Sequence, residues 1–256
     1  MGESETNGRT VKSGQTLLAV IEALKELDGA SVSELAAELD IAKSTAHRHV
    51  TTLAENGYVD QIDDTYTLSF RFLDLGGYVR DQHRLYKQIR PSLERLSEET
   101  GELATFIVED DGMGVFVYRE LGSNGVNTAA RVGSHTYLHQ TAAGKAILAE
   151  FSEERFEEIL DRHGLPRKTA HTITDDAELR EEIEEIRRRG YAYAAEENTK
   201  GLTSVGAAVY GPNDALLGAV SIDGPSHRLQ GEWLNDEIPQ VLLSAINEYE
   251  LNVSYL

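Results

Sequence analysis

Apolar positions in the first quarter of the chain recur at three- and four-residue steps. Leu17, Leu18, Ile21, Leu24 and Leu27 fall on one stripe, which predicts a helix from Val11 that ends at Asp28-Gly29. Ser31-Val32-Ser33-Glu34 opens a second, short helix with Leu35, Ala36 and Leu39 inward. Asp40-Ile41-Ala42 is a tight turn. A third helix starts at Lys43 or Ser44, runs to about Asn56, and turns Ala46, Val50 and Leu53 inward. Two short alternating runs, Tyr58–Ile62 and Thr65–Leu68, flank Asp63-Asp64 and read as a hairpin. Three helices and a hairpin in this order predict a winged helix-turn-helix, in which the third helix reads DNA.

Residues 70–100 return to helical spacing. Gly76-Gly77 marks a flex point, and Pro91 is expected to open a helix at its first turn. This stretch predicts a connecting helix that also makes a dimer contact; its later half fits a core helix of the second domain equally well. From Glu102 the period switches to two. Leu103–Val108 and Gly114–Tyr118 read as a hairpin, with a weaker strand near 127–132. Helices follow at Thr141–Phe151, Ser152–Leu160 and Asp175–Gly190, strands at Tyr191–Ala195, Thr203–Tyr210 and Leu216–Asp223, and a last helix at Gly231–Leu251. The fold class is α+β, with an antiparallel second domain of the sensor kind.

Charge sharpens this picture. The 256 residues carry 24 Lys and Arg against 44 Asp and Glu, a net −20, with 7 Lys against 17 Arg. A bulk polybasic nucleic-acid coat is excluded. The carboxylates are spread along the chain, and with so few lysines they suit a cytoplasm of very high salt and a halophilic source. Against this background the stretch Ile41–Ala54 contains no carboxylate and offers Lys43, Ser44, Thr45, His47 and Arg48 as donors to phosphates and base edges. Arg9 and Lys12 precede the first helix and would reach phosphate or the minor groove. His47 and His49 lie two apart and share no helix face. The absence of cysteine rules out disulfides, Cys-ligated zinc and thiol catalysis. No apolar run approaches the ~20 residues of a membrane span, and the first residues lack the apolar core of a signal peptide. A cytoplasmic protein with no membrane partner is expected.

These segments together resemble the IclR family of transcriptional regulators over almost the whole chain. The likeness rests on Lys43-Ser44-Thr45-Ala46-His47-Arg48 and the following Gly57-Tyr58-Val59. It continues in Arg131-Val132-Gly133, Leu138-His139-Gln140-Thr141-Ala142-Ala143-Gly144-Lys145, Ser204-Val205-Gly206-Ala207 and Ser221-Ile222-Asp223-Gly224-Pro225. The resemblance implies a disordered tail at 1–10, a winged helix-turn-helix at 11–70, a linker helix at 71–84 and a GAF-like effector-binding domain at 85–256. It further implies a homodimer or homotetramer on a pseudo-palindromic operator in double-stranded DNA, acting as repressor or activator and controlled by a small-molecule effector: a sugar, a sugar acid or another small organic acid. The effector positions it implies are Thr136, Ala142, Ala143, Ala194, Leu202, Ser204, Gly206, Ser221 and Asp223.

Three of these depart from the family's pattern. Ser204 stands where Cys is frequent, Ala194 where Asp or Ser is usual, and Asp223 where Ser often helps to hold an acid. An added carboxylate repels an anion unless it is paired or protonated, which favours a neutral, polyhydroxy ligand over a simple carboxylate.

Alternatives accompany each site. Ala142-Ala143-Gly144 begins a helix whose free N–H groups suit a ligand's oxygens, but small residues also allow close helix–sheet packing. Lys145 is read either as a ligand contact or as a solvated or ion-paired lysine. His135 and His139, four apart and without a carboxylate motif, do not make a metal site. No nucleophile elbow, P-loop, dinucleotide fingerprint or zinc-protease motif is present, so no catalytic residue, cofactor or enzyme activity is expected. The remaining alternative function is a small-molecule sensor or protein-interaction module whose winged helix contacts protein instead of DNA.

Overall fold

The computed structural model describes residues 10–254. The expected tail lies almost wholly outside them. The chain divides into two compact units, one ending at Val79 and the other beginning at Arg80.

In the first unit, α1 (Lys12–Glu26), α2 (Val32–Glu38) and α3 (Lys43–Glu55) precede a hairpin of β1 (Val59–Ile62) and β2 (Thr65–Leu68). Ser31 caps α2 reciprocally with Glu34: its main-chain N–H donates to Glu34 Oε2 at 2.8 Å, and its hydroxyl accepts from the Glu34 N–H at 3.3 Å. The stripe read along the first helix is met in part: Leu24 is buried and Leu17 and Ile21 pack beside it, but Leu18 and Leu27 are exposed and Val20 takes a core place. Val20, Leu24, Leu35, Ala46, Val50, Leu53, Val59 and Tyr66 pack together. A bridge between Ala30 and Tyr66 ties the α1–α2 junction to the hairpin. The hairpin turns at Asp63, whose φ of 54° is tolerated best by short polar side chains.

The helical stretch that follows is broken in two, α4 (Arg71–Gln82) and α5 (Arg84–Thr100). Pro91 does not open a helix; it lies inside α5. An interior proline costs one hydrogen bond, about 3 kcal/mol in an unsupported helix. Here Ile89, Leu93 and Leu96 of the same helix are buried in the core and hold it.

The second unit is built on a six-stranded antiparallel sheet in the order β5-β4-β3-β8-β7-β6. Its strands are β3 (Leu103–Asp110), β4 (Met113–Leu121), β5 (His135–Tyr137), β6 (Ala192–Ala195), β7 (Leu202–Tyr210) and β8 (Leu216–Pro225). One face packs on α5 and α9 (Ile238–Val253) through Phe106, Val205, Ala207, Val220, Ile222 and Leu242. The other face receives α6 (Ala142–Ala149), with α7 (Glu153–His163) and α8 (Asp176–Arg189) beyond it, through Ile107, Ile147, Phe156, Ile183 and Ala219.

Two further expectations need correction. The segment 127–132 is not a strand; the partner of β4 is the later β5. The Arg119 guanidinium draws in the Thr128 hydroxyl and the Ala130 carbonyl, so these groups are bonded to a side chain and not to a ladder. The last helix begins with one wide π turn, Trp233–Glu237, before α9 proper. Pro239, at the start of α9, lacks the N–H that a regular turn needs.

Candidate functional site

The exposed face of α3 carries the donors picked out by the charge pattern. Lys43, Ser44, His47 and Arg48 are exposed, while Thr45 is half-buried. His49 is also half-buried, turned away from His47 as the two-residue spacing requires. The helix has no acidic residue in its first turn, and Ala42 at its N-cap supplies no side-chain acceptor. The Thr45 N–H bonds back to the Ala42 carbonyl at 2.8 Å, so the N–H groups of Lys43 and Ser44, with the dipole, are left for an anion. Lys12 is exposed at the first position of α1. Arg9 lies outside the described residues.

In the second unit a cavity of about 290 Å³ opens on the α6 face of the sheet. Strand register places its floor. Arg119, Thr105, Ser221 and Gly206 stand directly opposite one another on β4, β3, β8 and β7, and Leu103, Asp223, Ser204 and Ala194 form the next row on β3, β8, β7 and β6. Opposed residues on antiparallel strands share a face, so both rows point to one side. Seven of these eight line the cavity; Gly206 does not.

Gly206 marks the place where the helix takes over from the cavity. A Cβ there would sit 2.6 Å from the Ala143 nitrogen and 2.7 Å from the Ala142 carbonyl carbon. Ala142 and Ala143 are fully buried, and Gly144 lies so close to the Leu138 backbone that it too excludes a side chain. Of the nine effector positions expected from the resemblance, Thr136, Ala194, Leu202, Ser204, Ser221 and Asp223 line the cavity, while Ala142, Ala143 and Gly206 do not. For these three, small size serves close packing of α6 on β7. Thr141, which caps α6 by accepting from the Gly144 N–H at 2.9 Å, is the helix-start residue that does reach the cavity.

The polar centre of the cavity is Asp223. Its Oδ1 accepts from the Ser204 hydroxyl at 2.5 Å and its Oδ2 from Ser221 at 3.0 Å, with the Thr105 hydroxyl 3.3 Å from Oδ2. Thr105 and Ser221 hydroxyls also lie 2.7 Å apart. Burial pushes the Asp223 carboxyl above the ordinary aspartate range, against the pull of these hydroxyls and of the nearby Arg119 charge. Burial lowers the Arg119 guanidinium in turn, and the Asp223 charge opposes that shift. Arg119 donates to Thr128 Oγ1 at 2.8 Å and to the Ala130 carbonyl, which fastens 128–130 as one wall.

A second wall is hung on a buried ion pair. Lys145, 1 % exposed, donates to Glu197 Oε1 at 2.8 Å and lies 3.6 Å from Glu182. Burial raises the Glu197 carboxyl, with Lys145 the main opposing influence. Of the two readings of Lys145, ion pairing is the one realised. The next residues, Asn198 and Thr199, line the cavity. Asn198 donates to Thr136 Oγ1 at 3.0 Å and accepts from Lys168 Nζ at 3.1 Å. Lys168 lines the cavity as well, and burial lowers its ammonium.

Arg119, Thr105, Lys168 and Asn198 were not singled out from sequence. The period-two pattern of β3 and β4 puts Thr105 and Arg119 on the face opposite Phe106 and Tyr118. That signal was available. Nothing local marks Lys168 or Asn198, which loops bring in. His139 is buried with Nε2 3.2 Å from the Pro166 carbonyl, and among the described residues no group of three or more His, Cys, Asp or Glu side chains is placed to hold a metal. Among the described residues no helix is long and apolar enough to cross a membrane.

Both units match known proteins. Residues 17–63 match the IclR helix-turn-helix domain, and residues 78–248 match the bacterial transcriptional regulator IclR C-terminal domain. The chain is 32 % identical to a probable HTH-type transcriptional regulator ArcR of Halobacterium salinarum, over 98 % of each chain. It is 28 % identical to the transcriptional repressor IclR of Escherichia coli, over 91 % of this chain and 87 % of that one. The crystal structure of the Thermotoga maritima IclR superposes with a TM-score of 0.76 at 29 % identity, covering 95 % of this chain and 98 % of that one.

Proposed function

The chain belongs to the IclR family of transcriptional regulators, which bind DNA and respond to small metabolites, and on that premise we propose how its own residues divide the two tasks. The first unit reads double-stranded operator DNA with α3 in the major groove. Ser44, Thr45, His47 and Arg48 face base edges, and Lys43, Lys12 and Arg9 meet phosphate. The observation that carries this reading is the carboxylate-free, donor-bearing face of α3 in a chain of net charge −20. Membership of a regulator family displaces the alternative of a winged helix that docks on protein, and the chain is not an enzyme.

The cavity of the second unit takes the effector, a small metabolite of the sugar, sugar-acid or organic-acid class. Thr136, Ala194, Leu202, Ser204, Ser221 and Asp223 contact it, while Ala142, Ala143 and Gly206 hold α6 in place. A second copy of the chain covers the apolar residues that α4 and its approach leave in solvent, Phe70 (86 % exposed), Leu73, Tyr78 and Val79, in a homodimer or a homotetramer. A two-fold dimer demands a pseudo-palindromic operator. The carboxylate coat suits work in a cytoplasm of molar salt, where counterion release weakens and hydrogen bonds to bases carry more of the affinity.

Mobility shifts in molar KCl with the DNA upstream of the chain's own gene test the reading. Wild type retards a specific fragment and Arg48→Ala loses about 1–3 kcal/mol of binding to it. Equal binding by both proteins, or indifference to sequence, contradicts it.

A further inference from the structure

We propose that the cavity selects a hydroxylated carboxylic acid in one orientation: a ligand hydroxyl donates to Asp223 and the ligand carboxylate pairs with Lys168. This rests on the reading of the cavity as the effector site and specifies its ligand.

The argument is a count of donors and acceptors. An ionised carboxylate offers about four acceptor sites. Three wall hydroxyls surround Asp223, each with a single proton. Ser204 gives its proton to Oδ1 and Ser221 gives its own to Oδ2. Thr105 stands closer to Ser221, at 2.7 Å, than to Asp223, at 3.3 Å, and its proton goes to the shorter contact. Two acceptor sites on Asp223 therefore remain. Of the other floor residues, Leu103 and Ala194 donate nothing, and Arg119 gives its two terminal nitrogens to Ala130 and Thr128 and keeps a buried, unpaired Nε–H. A ligand group placed there must be a donor. A carbonyl or carboxylate oxygen would set acceptor against acceptor and leave a buried group unpaired.

The rim has the opposite polarity. Lys168 carries three donors, and one of them is engaged, by Asn198 Oδ1. Its two remaining N–H groups and its charge suit a carboxylate. Ile107, Phe116 and Leu202, also in the lining, supply apolar surface for a carbon skeleton. At about 30 Å³ per water, the 290 Å³ of the cavity hold roughly ten heavy-atom groups, the size of a short-chain sugar acid.

Calorimetry on the full chain in molar KCl, with three four-carbon probes, tests this. L-Threonate has both features, 2-oxobutyrate lacks the hydroxyl donors, and erythritol lacks the carboxylate. Threonate binds roughly ten- to a hundred-fold more tightly than 2-oxobutyrate, because a hydrogen bond to a charged buried group is at stake. Lys168→Met, at an exposed position, weakens threonate about tenfold and leaves erythritol unchanged. Asp223→Ser narrows or reverses the preference for threonate over 2-oxobutyrate. A wild type that prefers 2-oxobutyrate overturns the proposal, as does one that binds none of the three, or a ranking untouched by Asp223→Ser in protein that melts as wild type does. Operator binding by the same samples judges the parent reading separately: DNA retained with threonate ignored refutes the ligand assignment alone.

Discussion

Asp223 concentrates the chemistry of the second unit in one carboxyl group. Its native state holds a proton more tightly than an unfolded aspartate does, because burial disfavours the charge more than the hydroxyls and Arg119 favour it. The stabilisation from that proton is complete below the ordinary value near 4 and is lost as pH rises through the raised native value. Asp223→Asn removes this dependence. The melting temperature of the variant minus that of wild type therefore grows as pH rises from about 4. A difference that stays flat or shrinks in thermal melts at fixed KCl contradicts the assignment. On α3, His47 and Arg48 share the exposed face and His49 does not. His49→Gln accordingly leaves fragment choice in mobility shifts unchanged, where Arg48→Ala relaxes it.

Among the elements, α6 decides where the cavity ends. It sits on β7 at a separation that only glycine permits at position 206. Gly206→Ala forces the helix off the strand and costs at least about 1–3 kcal/mol in denaturant unfolding. An unchanged midpoint refutes the close approach. The same helix supplies Lys145 to the ion pair under the 196–199 wall. Lys145→Ala leaves Glu197 buried without its cation and costs about 3–5 kcal/mol. Lys145→Met with Glu197→Leu recovers most of that loss, because the uncompensated charge goes with its partner. Failure of the double variant to recover shows that the pair does more than neutralise itself.

Elements also set how far the sequence could be read. The helices and strands with strong periodicity, α1 to α3 and β3, β4, β7 and β8, lie close to where their apolar steps place them: the helices bury one face each, and the central strands are covered by helices on both. The winged helix-turn-helix and the carboxylate-free face of α3 were legible for this reason. Pro91 and the 127–132 segment were not. In both, a distant contact overrides a local signal: the core burial of Ile89 and Leu93, and the reach of Arg119 across to Thr128 and Ala130. At the cavity, Ala194, Leu202, Ser204, Ser221 and Asp223 came from the family resemblance; strand alternation marked Thr105 and Arg119 without their being picked out, and nothing local marked the loop residues Lys168 and Asn198. The small residues of α6 were ambiguous in principle, since a bound oxygen and a close strand both require a missing side chain. Only the 2.6 Å approach at Gly206 separates the two.

For the molecule as a whole, the net charge of −20 sets the conditions under which everything else works. Raising KCl from 0.1 M to 1 M shortens the screening length from about 10 Å to about 3 Å. Mutual repulsion of the carboxylates fades over that range, so the melting temperature rises with KCl. A melting temperature that falls across it contradicts a coat adapted to salt. The two units carry two tasks, and regulation requires that they be coupled. The most direct test is fluorescence anisotropy of the specific fragment in molar KCl, titrated with wild type and with Asp223→Ser, each with and without L-threonate at the concentration that just saturates wild type. The account predicts equal ligand-free affinities, a shift in the affinity of wild type of about 5- to 150-fold on ligand binding, and little or no shift for the variant. A wild-type affinity that ignores the bound ligand, or a variant that shifts as wild type does, contradicts it.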